Sequence, residues 1–241
     1  MLPDQVIESL IEGAINKGTS LSDHVNIQVP SFHRDHYVGM SSITSCPRAL
    51  WFNYHKISEY IGLAVPKSEP HSPKLTRIFR TGHVIEREII HWLTVGGIEV
   101  TDTQTAYSEF NNQFRGHCDG IIRIPNITPI VFDVKTMSDK SFTKFCSSTI
   151  KSYNYGYYVQ LTMYMYYSNF KERAVIIAYN KNNSDVKVKV MPYEDTVAKT
   201  MRLRAANVIM SKSLDTVIVN REWYNCSECK FRQICDKYDG K

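Results

Sequence analysis

Two acids and a lysine on neighbouring predicted strands are the residues of this 241-residue sequence with the clearest potential for chemistry. Strand alternation in the segment 129–135 places Asp133 and Lys135 on the same face. The segment 116–120 precedes it and carries Asp119 within the span of one hairpin. Carboxylates bind Mg²⁺, and a nearby lysine is able to orient or deprotonate a metal-bound water and to offset the charge of a scissile phosphate. The set indicates phosphodiester hydrolysis, although an Asp-x-Lys triplet alone also fits an ion pair at a solvated strand end.

Two predicted helices add further polar residues. Glu86 follows Gly82 by one helical turn in a segment with apolar residues at helical spacing. Gln160 and Tyr164 form an i,i+4 pair on one face of a later helix. Such a pair is able to hydrogen-bond nucleic acid or the lysine.

Together these segments resemble the RecB-like branch of the PD-(D/E)XK nuclease superfamily. Its four motifs appear in order as Gly82-His-Val-Ile-Glu86, Gly116-His-Cys-Asp119, Asp133-Val-Lys135 and Gln160-Leu-Thr-Met-Tyr164. The resemblance spans residues 41–236. It implies a restriction-endonuclease-like α/β core in which helices flank a mixed central sheet.

The resemblance also implies an activity, a metal-dependent DNA exonuclease in recombination, repair or phage DNA processing that leaves 5′-phosphate and 3′-hydroxyl ends. One or two Mg²⁺ or Mn²⁺ ions would be held by Glu86, Asp119, Asp133 and the backbone carbonyl of Val134, Lys135 would position the attacking water, and Gln160 and Tyr164 would align the substrate.

The first motif departs from many RecB-like relatives, in which a histidine occupies the position of Glu86. The glutamate is similar to phage exonucleases of the lambda type and implies an all-carboxylate metal site. His83 is a further candidate ligand, but three residues of an ideal helix turn about 300°, which directs it away from Glu86. A histidine that only packs or hydrogen-bonds nearby is the alternative.

Four of the six cysteines form a second pattern. Cys226, Cys229 and Cys235 have the spacing C-x₂-C-x₅-C, and Cys46 lies far upstream in Ser-Cys-Pro-Arg-Ala-Leu-Trp. AddB-type and CRISPR-associated RecB-like nucleases join one early and three late cysteines around a 4Fe-4S cluster, so the resemblance implies an iron-sulfur staple that closes the fold. A Cys₄ zinc site is the alternative, since thiolates bind Zn²⁺ equally readily.

Several elements must position these residues. Periodicity and turn residues predict helices over 5–16, from Pro47 to Tyr54, over 76–95, 154–169 and 194–212, and strands over 98–101, 104–110, 114–124, 129–137, 173–180 and 185–191. The prolines of segment 63–75 predict a loop. We divide the chain into an N-terminal helix and connecting segment (1–40), the nuclease core (41–225) and a C-terminal cysteine segment (226–241) that joins Cys46.

The composition limits the function classes. A hydrophobic content of 43% excludes a disordered chain, and a net charge of +5 is compatible with DNA as the partner. No apolar run is long enough to span a membrane and the N-terminus is acidic, so we expect a cytoplasmic protein of a bacterial or phage-infected cell, with cysteines kept reduced. A homo-oligomer or a recombination or integration partner remains open.

Two other functions are compatible with this sequence. One is a nuclease that trims DNA ends for CRISPR adaptation. The other is a DNA-binding module with an inactive nuclease fold, but the intact Asp133-Val-Lys135 set speaks against this, since an inactive descendant need not retain it.

Overall fold

The computed structural model describes residues 2–21, 36–67, 72–217 and 226–240. Within them, the helices are α1 (Asp4–Leu21), α2 (Pro47–His55), α3 (Pro73–Val95), α4 (Asp139–Cys146), α5 (Ile150–Tyr153), α6 (Tyr155–Ser168), α7 (Asp195–Met210) and α8 (Arg232–Tyr238). The strands are β1 (Val38–Gly39), β2 (Glu59–Tyr60), β3 (Leu63–Ala64), β4 (Glu99–Thr101), β5 (Thr105–Glu109), β6 (Phe114–Cys118), β7 (Gly120–Arg123), β8 (Ile130–Met137), β9 (Arg173–Asn180) and β10 (Val186–Pro192). Within these ranges, the helices are too short or too polar to cross a membrane.

The helices and the mixed sheets together form an α/β architecture, as the sequence predicts. A five-stranded sheet has the order β10-β9-β8-β7-β4, and a three-stranded sheet has the order β1-β6-β5. The pair β8·β9 is parallel, whereas β10·β9, β7·β8 and β4·β7 are antiparallel. Strands β2 and β3 form a separate hairpin. Strand β8, which carries Asp133 and Lys135, therefore lies at the centre of the larger sheet.

Helices cover both faces of the larger sheet. On one face, α1 and α3 pack on an apolar core that contains Ile130, Phe132 and Val134 of β8. On the other face, α6 packs on a core that contains Val131, and α7 packs on α6. The side chains of β8 alternate between the two cores, as strand geometry requires. This alternation places Asp133 and Lys135 on the α6 face, as predicted.

The predicted strand 114–124 is in fact two strands that belong to different sheets. The strand break lies at Asp119, between the last residue of β6 and Gly120, the first of β7. A Cβ at Gly120 would lie 2.7 Å from a ring carbon of Phe132, so only glycine allows β7 to approach β8 this closely. The two-residue alternation used for the prediction does not reveal such a change of sheet.

Several helix ends also differ from the predictions. Helix α1 extends to Leu21, and Asp4 is its first residue, where its carboxylate contacts Arg173 Nη1 at 2.9 Å. Helix α3 begins at Pro73 and not at residue 76, because the Ser72 hydroxyl accepts a hydrogen bond from the Leu75 amide and caps it. Part of the predicted loop 63–75 is strand β3, and residues 68–71 lie outside the described part of the chain.

The C-terminal segment packs on α2, although the two are far apart in sequence. The guanidinium of Arg48 donates to both carboxylate oxygens of Asp239, at 3.0 and 3.1 Å. The ring of Phe231 stacks on that of Phe52, with centroids 4.9 Å apart. These contacts bring the residues that follow Cys226 back to the helix that follows Cys46.

Helices α1 and α3 approach each other closely through glycine. A Cβ at Gly18 would lie 1.8 Å from the carbonyl oxygen of Trp92, and one at Gly96 would lie 1.9 Å from that of Ala14. Since both obstacles are backbone atoms, no side-chain rotation relieves the clash. The contact between α1 and α3 therefore depends on these two glycines.

We expect Gly18→Ala to lower the free energy of unfolding by about 3 kcal/mol, because the helices must separate to admit the methyl group. On the same helix, Gly13 has nothing within 4 Å of an added Cβ. Gly13→Ala should therefore raise the free energy of unfolding by about 0.5–1 kcal/mol through helix propensity. Urea unfolding measures both variants, and shifts in the same direction would contradict the close approach of the helices.

Candidate active site

Asp133 and Lys135 form the centre of the candidate site. The Lys135 ammonium lies 2.5 Å from Asp133 Oδ2, and both side chains are largely enclosed, with 21% and 4% of their surface exposed. Among the described residues, Asp133 Oδ2 accepts no well-directed hydrogen bond. An enclosed carboxylate oxygen with an ion contact alone retains lone pairs for a cation.

Asp119 occupies the strand break beside β8. Its Oδ2 accepts a hydrogen bond from the backbone N–H of Val134 at 2.7 Å, in place of a strand partner. The N–H and C=O groups of one strand residue point towards the same edge, so the Val134 carbonyl also faces Asp119. The structure thus brings together three oxygen donors that the sequence predicted for a metal, from Asp119, Asp133 and Val134.

Glu86 reaches the same place from α3. The amide nitrogen Nε2 of Gln104 donates to Glu86 Oε1 at 2.5 Å and to Asp119 Oδ1 at 3.4 Å. His83 Nδ1 lies 3.4 Å from Glu86 Oε2, so the two side chains meet despite their angular separation on the helix. Sequence reasoning missed Gln104, which lies in a turn and outside the four motifs.

Gln160 and Tyr164 lie behind Asp133 and Lys135. The amide of Gln160 donates to Asp133 Oδ1 at 3.2 Å and to the Tyr164 hydroxyl at 2.9 Å, and its oxygen accepts from Lys135 Nζ at 3.4 Å. Both residues are buried. A Cβ at Gly116 would lie 2.8 Å from the Tyr164 ring, which explains the glycine of the second motif. The helix pair therefore fixes the positions of the two charged side chains.

Burial and neighbouring charges shift the pKa values of the ionisable side chains in the site. Burial, reinforced by the charges of Asp133 and Glu86, raises the pKa of Asp119 well above its usual range. Burial also raises the pKa of Glu86. For Lys135, burial acts to lower the pKa, but the carboxylates of Asp133 and Asp119 outweigh it and raise the pKa. The lysine is therefore an ammonium at neutral pH, and the acids bind protons more readily than in water.

The candidate ligands have the chemistry that a hard divalent cation prefers, but their side chains are not arranged around one point as in a metal site. Apart from His83, every candidate donor is a carboxylate or carbonyl oxygen, and Asp133 Oδ2 has spare acceptor capacity. Nevertheless, no group of three or more His, Cys, Asp or Glu side chains within the described ranges has the arrangement of a metal site. The Gln104 amide lies between two of the acids.

A groove of about 1550 Å³ opens from these residues to solvent. Its basic lining residues are Lys56, Lys67, Arg115 and Lys230, in addition to Lys135. Sequence reasoning had no signal for them, since they come from separate segments of the chain. Cation side chains along a groove are typical of surfaces that bind a phosphate backbone.

The cysteine residues lie apart from this site. Cys46 caps α2, and Cys235 lies in α8, which packs against it. Burial raises the pKa of Cys235, and the nearby thiols of Cys46 and Cys229 contribute to the rise. Cys46, Cys229 and Cys235 thus lie close enough to interact electrostatically, but the four cysteines, all within the described part of the chain, do not have the arrangement of a metal site. Cys118, outside the pattern, is fully buried.

The stability of the metal-free protein should fall as pH rises. Because the folded pKa values of Asp119 and Glu86 are raised, the folded state binds more protons than the unfolded state above about pH 4, and stability is lost as these acids ionise. Asp119→Asn removes one such charge. We expect the unfolding temperature of Asp119→Asn minus that of wild type to become larger as the pH rises from about 5 to about 8.

Thermal unfolding in chelated buffer measures this difference. Glu99→Gln is the matched control, because Glu99 is an exposed acid on the neighbouring strand β4. Parallel pH profiles for wild type and Asp119→Asn would contradict the burial of interacting carboxylates.

Comparisons with known proteins give only distant similarity. No protein-family model and no curated protein sequence matches this chain. Among solved structures, SSO0001 is 15% identical over 97% of both chains, with a TM-score of 0.49. An alkaline exonuclease from Laribacter hongkongensis is 10% identical over 86% of this chain and 95% of its own, with a TM-score of 0.49. A phage-related exonuclease from Haemophilus somnus 129PT is 11% identical over 73% of this chain and 92% of its own, with a TM-score of 0.44. The activity of this chain therefore has to be inferred from its own site.

Proposed function

We propose that this protein is a metal-dependent DNA exonuclease that hydrolyses phosphodiester bonds. The observation that carries the proposal is the convergence of Glu86, Asp119 and Asp133 beside the ammonium of Lys135. The acids come from a helix, a strand break and a central strand. A strand-end ion pair, the alternative for Asp-x-Lys, would not require two further enclosed acids.

Glu86, Asp119, Asp133 and the Val134 carbonyl would hold Mg²⁺ or Mn²⁺. Such an ion stabilises negative charge on a phosphoryl oxygen and lowers the pKa of a bound water. His83, in contact with Glu86, would orient that carboxylate.

Lys135 supplies the positive charge of the candidate site. Its ammonium group, beside Asp133, would donate a hydrogen bond to the attacking water or to the phosphate. Gln160 and Tyr164 would act as positioning residues. Their hydrogen bonds hold Asp133 and Lys135 at fixed separation before substrate arrives.

The groove supports a nucleic acid as the substrate, because its wall carries basic residues and leads to the acids. The choice of DNA and of cleavage from an end rests on the four ordered motifs. A role in recombination, repair or phage DNA processing has the same basis. The CRISPR-adaptation nuclease shares this chemistry, and stable copurification with an integrase would favour it. Oligomerisation also remains a prediction.

Lys135→Ala should reduce the rate of metal-dependent DNA degradation about 100-fold or more, because a preorganised charge is lost from the reacting centre. The assay follows end-labelled linear and closed-circular DNA with Mg²⁺ or Mn²⁺, using protein purified anaerobically. Degradation of linear DNA alone identifies an exonuclease. Cleavage of circles would replace that assignment with an endonuclease.

Lys140→Ala is the matched control, because Lys140 is an exposed lysine on α4. It should degrade DNA at the wild-type rate. Thermal unfolding of Lys135→Ala checks that the unpaired Asp133 has not unfolded the protein. DNA binding by wild type without cleavage in either metal would contradict the proposal in favour of an inactive binding module.

We further propose that Cys46, Cys226, Cys229 and Cys235 bind a 4Fe-4S cluster, with zinc as the alternative metal. The neighbourhood of three of these thiols and the packing of α8 on α2 support a structural metal at this place. In this proposal the cluster closes the core of residues 41–225 through the segment 226–241. Helix α1 packs on α3 and β10.

Cys229→Ser should abolish the bound metal and lower the unfolding temperature by about 5 °C or more, since a metal that binds only the folded state stabilises it. Iron and zinc analysis and the visible absorption spectrum of anaerobically purified protein distinguish the two metals. Cys146→Ser is the control, because Cys146 is exposed and outside the pattern. Equal metal content in wild type and Cys229→Ser would contradict the cluster.

A further inference from the structure

The turn between β4 and β5 delivers Gln104 to the candidate metal site. Thr101 of β4 pairs with Ile121, and Thr105 of β5 pairs with Cys118. The turn residues between them must therefore lie opposite the strand break at Asp119. This register explains why an amide that belongs to none of the four motifs reaches two of their acids.

The backbone of this turn is held in an unusual conformation. Asp102 and Gln104 both have left-handed φ values, +53° and +55°. A left-handed conformation is unfavourable for a residue with a long side chain, and glycine would adopt it readily. The Thr105 hydroxyl donates to the Asp102 carbonyl at 2.8 Å and holds the turn closed. The strained backbone thus coincides with a glutamine whose side chain enters the site.

The amide nitrogen of Gln104 lies between two acids that a divalent cation would bridge. It donates to Glu86 Oε1 at 2.5 Å and to Asp119 Oδ1 at 3.4 Å. Its two hydrogens thereby offset the repulsion of the two carboxylates. The amide nitrogen carries two hydrogens, so it is only a hydrogen-bond donor and cannot coordinate a cation. Glu86 Oε1 and Asp119 Oδ1 therefore cannot accept these hydrogen bonds and at the same time coordinate a metal ion at full strength.

We propose that the Gln104 amide is a competitor of the metal ion, which holds Glu86 and Asp119 in the metal-free protein and must leave when Mg²⁺ or Mn²⁺ binds. This inference rests on the metal site of the proposed function. It makes Gln104 a positioning residue that sets the metal concentration at which the site fills.

Mn²⁺ binding in the absence of DNA tests this inference without reference to activity. Isothermal titration of the full chain, dialysed against metal-free buffer, gives the dissociation constant. We expect Gln104→Ala to bind Mn²⁺ about tenfold more tightly than wild type, because hydrogen bonds to two charged groups no longer oppose binding. Metal-free Gln104→Ala should unfold at a lower temperature than wild type, and Mn²⁺ should raise its unfolding temperature by a larger amount.

Two further variants separate the side chain from the backbone. Gln104→Gly relieves the left-handed strain and also removes the amide, so it should bind Mn²⁺ as tightly as Gln104→Ala. Thr103→Ala is the matched control, since Thr103 is an exposed residue of the same turn, and its affinity should equal that of wild type.

The outcomes distinguish this inference from the proposed function. Unchanged or weaker Mn²⁺ binding by Gln104→Ala and Gln104→Gly overturns the inference alone, and weaker binding would make the Gln104 amide oxygen a ligand. If neither wild type nor the Gln104 variants bind Mn²⁺, the metal site of the proposed function fails and the inference fails with it. Binding by the variants without binding by wild type supports both.

Discussion

Three acids, Glu86, Asp119 and Asp133, converge beside the strand break. Their mutual electrostatic repulsion is the constraint on which the surrounding structure depends. Asp119 and Asp133 are both enclosed, and Glu86 approaches them from a different element. Such a group costs free energy unless positive charge or hydrogen bonds compensate it. The compensation is divided: Lys135 acts on Asp133, the Val134 amide on Asp119, and Gln104 on Glu86. Each acid is thus compensated by a different group of this chain.

The elements around the acids follow from this requirement. In a continuous antiparallel strand a backbone carbonyl would accept the Val134 N–H, whereas at the break this N–H donates to the Asp119 carboxylate. Gly116 and Gly120 flank the break, and each allows an aromatic ring to approach the backbone. Gln160 joins Asp133, Lys135 and Tyr164 in a single hydrogen-bond network. Buried networks of this kind are favourable only when each member has its partners.

The parts of the site that the sequence predicts are those set by local periodicity. The shared face of Asp133 and Lys135 follows from the two-residue repeat of a strand, and the pairing of Gln160 with Tyr164 follows from the helical repeat. Gln104 was missed because its approach to Asp119 depends on the register of two strand pairs, which is a long-range property. The change of sheet at Asp119 and the close contact at Gly18 also depend on distant partners. Neither has a signal within its own segment.

The C-terminal segment reaches the core through α2 and not through the strands that carry the acids. Phe231 stacks on Phe52, and Arg48 binds Asp239, and neither contact requires a metal. Phe52 and Phe231 belong to the same apolar core as Tyr164. Ring stacking and the ion pair therefore hold the segment on α2 through groups of the chain itself. Because the shared core also contains Tyr164, which belongs to the hydrogen-bond network of Asp133, loss of the segment would reach the acids only by opening that core.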